Sequence, residues 1–80
     1  MKTYTTHLSD GKKHRVTVPE YNPQAEAYEA GRRSFELWSE HEGTTKVRPS
    51  LFHIASQITN GDAFQFQAGW ADARDEAERN

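Results

Sequence analysis

Cysteine is absent from the 80 residues, which excludes disulfides, thiolate metal sites and a thiol nucleophile. Long apolar runs are absent too: no stretch approaches the roughly 18 residues of a membrane-crossing helix. Residues 1–6 carry no apolar segment of the signal-peptide kind. A cytoplasmic protein, neither exported nor membrane-spanning, is therefore expected. Only 34% of the residues are hydrophobic and mean hydropathy is −1.01. Such polarity alone would suit a disordered chain, but two Trp, three Tyr, four Phe and a net charge of only −2 point to a folded domain. The length excludes large catalytic frameworks and fits a single domain, 1–80, with a thin core.

Glycine and proline are scarce, five and three, so each marks a boundary or a close approach. Thr3–Leu8 and His14–Val18 are rich in β-branched and aromatic residues, with Ser9-Asp10-Gly11 between them. This predicts a β-hairpin over 2–18. A two-residue turn at Asp10-Gly11 would set Leu8 opposite Lys13 and Tyr4 opposite Thr17, splitting the apolar residues between the faces. A bulged turn with Gly11 left-handed pairs Leu8 with Lys12 and Tyr4 with Val16, placing Tyr4, Leu8, Val16 and Val18 together. The second register is preferred.

Asn22-Pro23 is a helix start, an Asn cap followed by Pro in the first turn, and predicts a helix over 23–41 that stops near Gly43. Its apolar face is Tyr28, Gly31, Phe35 and Trp38, and Glu29 with Arg33 makes an i,i+4 pair. Residues 44–48 are extended or looped, with a short third strand as an alternative. Pro49-Ser50 opens a short helix over 50–58, facing inward through Leu51, Ile54, Ala55 and Ile58. Asp62 and Gln65 resemble a capping box and start a last helix over 62–79, with Phe66, Gly69, Trp70, Ala73 and Ala77 inward. Gly31 and Gly69 each lie mid-helix, at a cost of up to about 1 kcal/mol relative to Ala. Their positions on apolar faces predict that the two helices cross there, with Trp38 and Trp70 packed around the contact. The class is α+β: a hairpin, a long helix, a short helix and a C-terminal helix.

Catalytic and metal chemistry find little support. His7, His14, His41 and His53 lack ligand spacing, and the register sends His7 and His14 to opposite faces. Ser34, Ser39, Ser50 and Ser56 lie in no nucleophile elbow, and there is no phosphate loop. Neither an enzyme nor a cofactor is expected.

Charge placement is more informative. Residues 1–21 carry +2, 22–48 carry −1 and 49–80 carry −3. Lys12, Lys13 and Arg15 form a basic hairpin tip that fits contact with phosphates; such charge also keeps hairpin edges soluble. Direct nucleic-acid binding is not expected of a chain with this overall balance. Asp72, Asp75, Glu76 and Glu78, extended by Glu36 and Glu40, form an acidic face suited to a basic protein surface. Its bland alternative is a solvated helix exterior.

Two resemblances follow. Over 22–80, Tyr28-Glu29-Ala30-Gly31 and Phe66-Gln67-Ala68-Gly69-Trp70-Ala71-Asp72-Ala73 resemble the helix pair of ribosome modulation factor. That family has aromatic-x-x-Gly in its first helix and Gly-Trp-x-x-Ala in its second. The resemblance implies a two-helix unit that docks on ribosomal RNA and protein; the family is strongly basic and lacks the hairpin, whereas the second helix here is acidic. As a whole, a cysteine-free, mildly acidic α+β chain of this size is similar in character to the small anti-CRISPR proteins of phages and mobile elements. Those acting on type I surveillance complexes are nearest in character. This implies stoichiometric, non-enzymatic inhibition, with acidic side chains on the Cas surface that normally receives nucleic acid. A monomer is favoured, with a homodimer through Tyr21, Trp38, Phe52 and Phe64 as the alternative.

Overall fold

The computed structural model describes residues 1–8, 12–20, 22–47, 57–58 and 61–79. Strands β1 (Lys2–His7) and β2 (Lys13–Val18) form an antiparallel pair with Tyr4 opposite Val16. The Leu8 N–H donates to the Lys12 carbonyl at 3.0 Å. This is the bulged-turn register, although Gly11 itself lies outside the described residues. Tyr4, Leu8, Val16 and Val18 are all buried on one face, the outcome that period-2 alternation requires.

Helix α1 (Pro23–Glu42) begins where the Asn22 side chain accepts the Ala25 N–H at 2.9 Å and Pro23 occupies the first turn. It ends at Gly43, whose φ of 71° and N–H bond to the Ser39 carbonyl close the last turn in the left-handed conformation. Helix α2 (Ala63–Arg79) is capped by Asp62, which accepts the Gln65 N–H at 3.1 Å. Among the described residues the hairpin is thus followed by two helices, not the expected three. Most of the short helix expected over 50–58 lies outside the described residues, and Gln57 and Ile58 are not helical. Residues 44–47 form no strand.

Side chains from both helices and the hairpin make one core. Phe35 and Trp70 meet edge to face at 5.1 Å, as do Trp38 and Trp70 at 5.8 Å. Such ring pairs add about 0.5–1.5 kcal/mol each beyond burial. They pack under the inward face of the hairpin, with Phe66 and Ala73 completing the cluster. A buried hydrogen bond from Ser34 Oγ to Thr6 Oγ1, 3.0 Å, ties α1 to β1.

The two helices run in the same direction. Stepping from Gly31–Phe66 to Phe35–Trp70, or from Tyr28–Asp72 to Arg32–Glu76, advances one turn along both helices together.

Candidate interaction surface

The surface is organised by the helix crossing. A β-carbon on Gly31 would fall 2.0 Å from the Phe66 carbonyl oxygen, and one on Gly69 would fall 2.0 Å from the Tyr28 carbonyl oxygen. The backbones touch, and only glycine permits this on either helix. The shift that takes Tyr28 to Phe66 and Gly31 to Gly69 also takes Arg32 to Trp70 and Trp38 to Glu76. The Arg32–Glu76 ion pair is thus the counterpart of the Trp38–Trp70 contact. One side of the crossing is aromatic and lies under the hairpin; the other is charged and open.

On the charged side, Tyr28 Oη donates to Asp72 Oδ2 and Arg32 Nη2 to Glu76 Oε2. The bond to Asp72, with burial behind it, raises the Tyr28 phenol above its ordinary value of 10.0. The Glu76 carboxylate likewise raises the Arg32 guanidinium. Glu36 lies one turn beyond Arg32 and Glu40 one turn further, and both are exposed. Asp72 and Glu76 of α2 thus lie beside Tyr28 and Arg32, and Glu36 and Glu40 continue the acidic band along α1. A cleft of about 570 Å³ runs along α1, lined by Glu29, Arg32, Arg33, Glu36, Leu37 and Glu40. Arg33 is held at its border, donating to Glu29 at 3.2 Å and to the Thr17 carbonyl of β2 at 2.7 Å.

Not all of the acidic residues share this band. Asp75 pairs with its neighbour Arg74 at 3.3 Å, and Glu78 follows it on the adjoining row of α2, one turn on. Lys12, Lys13 and Arg15 are exposed on the hairpin, apart from the band. Trp38 is 1% exposed and Phe64 77%; of the residues considered for a homodimer face, Trp38 is thus core. Tyr21 and Phe52 lie outside the described residues.

Among the described residues no group of three His, Asp or Glu is placed to hold a metal ion. His14 and His41 line a second cleft of about 290 Å³ with Leu8, Leu37 and Glu40, and His53 lies outside the described residues. Ser34 is buried against Thr6, while Ser39 Oγ donates to the Thr44 carbonyl at 3.1 Å. Ser50 and Ser56 lie outside the described residues. No described helix is long and apolar enough to cross a membrane.

Sequence reasoning missed the polar pairs across the crossing. Its available signal was a matched spacing: Tyr28 and Arg32 are an i,i+4 pair on one helix, as are Asp72 and Glu76 on the other. No protein-family model, curated protein or solved structure matches the chain.

Proposed function

We propose that this protein is a non-enzymatic inhibitor that acts in the cytoplasm by binding a protein or nucleoprotein complex through the charged side of its helix pair. The observation that carries this reading is the acidic band that runs from Asp72 and Glu76, past Arg32, to Glu36 and Glu40, drawn from two helices whose backbones touch. Carboxylates held on a rigid pair match a lysine- and arginine-rich surface, speed the encounter and set its orientation. The favoured partner is a type I CRISPR surveillance complex, with the acidic band on the surface that receives target DNA. No cofactor enters this mechanism, and the protein acts as a monomer.

The informative substitutions are Glu36→Lys and Glu40→Lys, because these carboxylates make no ion pair among the described residues. Reversing Glu76 would instead set a lysine against Arg32 and mix folding with binding. The wild-type protein is expected to block target-DNA binding by a purified type I complex. The E36K/E40K variant, with unchanged thermal unfolding, is expected to bind that complex at least about tenfold more weakly. Equal inhibition by both proteins removes the acidic-band mechanism.

A second reading, a ribosome-associated modulator, is favoured by one observation. The two aromatic-x-x-Gly segments that carry the ribosome modulation factor resemblance are the ones in contact at the crossing. It predicts co-sedimentation with 70S particles that is lost when Lys12, Lys13 and Arg15 are changed to Glu. Failure to co-sediment at low salt rejects it.

A further inference from the structure

We propose that the outer edge of β2 is a strand-addition site for an extended partner segment that alternates acidic and apolar side chains. The hydrogen-bond phase of the hairpin locates the site. Because Leu8 N–H bonds the Lys12 carbonyl, the bonded pairs continue at Thr6 with His14, Tyr4 with Val16 and Lys2 with Val18. The backbone groups of Lys13, Arg15 and Thr17 therefore point away from β1. At Thr17 this outward carbonyl is met by Arg33 Nη1 at 2.7 Å, which closes that end of the edge. The outward N–H and C=O groups of Lys13 and Arg15 take no partner among the described residues. On β1 the corresponding residues Thr3 and Thr5 are engaged in further interactions. Among the described residues the Lys13–Arg15 stretch of β2 is thus an open edge.

The surroundings specify the occupant. Lys13 and Arg15 are exposed on the outer face of the hairpin, so an added strand would lay every second side chain beside two cations. Opposite charges in adjacent strands attract and like charges repel. Its alternate side chains would point inward, over the cleft where Leu37 of α1 is left half-exposed beside Leu8 and His14. Acidic residues fit the first row and apolar residues the second. A second copy of β2 is disfavoured, since it would bring Lys13 and Arg15 against their own kind, the device by which charged edges avoid self-association. A nucleic acid is a poorer match: phosphates accept from the two N–H groups but leave both carbonyls unpaired. This edge adjoins the acidic band at Glu40, which lines the same cleft.

The test uses the whole ¹⁵N-labelled protein and three probes: an end-capped heptapeptide of alternating Glu and Val, the same peptide with Lys for Glu, and an oligothymidylate. The Glu peptide is expected to slow amide exchange at Lys13 and Arg15, while the Lys peptide binds at least about tenfold more weakly. The K13E/R15E variant should reverse that preference. Arg15→Pro removes an outward N–H that an edge strand can lose while staying folded, and should weaken the Glu peptide with little change in thermal unfolding. If R15P does not fold, the reversed preference of K13E/R15E decides. The proposal is overturned if the Glu peptide gives no protection at millimolar concentration. It is equally overturned if a folded R15P binds as wild type, or if the oligothymidylate protects these amides and the Glu peptide does not.

Discussion

Gly31 and Gly69 hold reciprocal places in the structure: each puts its Cα against the carbonyl of the aromatic residue that opens the other's aromatic-x-x-Gly segment. A β-carbon at either would fall 2.0 Å from that oxygen. In an open helix Gly→Ala stabilises by up to about 1 kcal/mol. At this distance the backbones must separate instead, and overpacking of that kind typically costs about 1–3 kcal/mol, occasionally more. Gly31→Ala and Gly69→Ala should each lower the unfolding free energy measured in urea by an amount in that range or beyond. Gly43→Ala gives the contrast. Nothing lies within 4 Å of its site, so its loss should be near 1 kcal/mol, from the left-handed φ alone. Stabilisation by either crossing variant would mean that the helices do not touch there.

The Tyr28–Asp72 bond makes a pH-dependent contribution. It favours the neutral phenol, so the folded-state pKa lies above the unfolded one. The contribution is complete below about pH 10, the unfolded value, and is lost as pH rises through the folded value. Tyr4, raised chiefly by burial, acts in the same direction. The melting temperature should therefore fall at alkaline pH beyond that point. Asp72→Asn should bring the Tyr28 ionisation back toward its ordinary value, followed by absorbance near 295 nm as pH is raised. An unchanged titration in D72N would remove the bond as the cause.

The Ser34–Thr6 bond is buried, so its two hydroxyls are coupled in folding. Ser34→Ala and Thr6→Val should each destabilise by about 1–2 kcal/mol, and the double variant by less than their sum. A double-mutant cycle by urea unfolding measures the difference; strict additivity would contradict the pairing.

The legible parts of this fold rest on local chemistry. The hairpin register follows from Tyr4, Leu8, Val16 and Val18, because a slip of one residue would move all four into water. Helix starts follow from Asn22-Pro23 and Asp62, whose side chains hydrogen-bond N–H groups within their own first turn. The Gly31–Gly69 contact is visible because two glycines on apolar helix faces make sense only if something approaches them. The Tyr28–Asp72 and Arg32–Glu76 pairs are different. They depend on the relative direction and rotation of two helices joined through 43–62, which no local pattern sets. Ser34 and Thr6 read as ordinary polar positions until the hairpin is laid on α1. The acidic face read from α2 alone is divided by packing: Asp72 and Glu76 turn toward α1, while Asp75 stays with Arg74.

We propose the acidic side of the helix pair as the working surface. The most direct measurement is the affinity of a purified type I surveillance complex for the wild-type protein and for E36K/E40K, at low and at physiological salt. Wild-type binding is expected to be stoichiometric, to displace target DNA and to weaken with salt, with a loss of at least about tenfold in the variant. Absence of wild-type binding, or equal binding by both proteins at both salt concentrations, would contradict it.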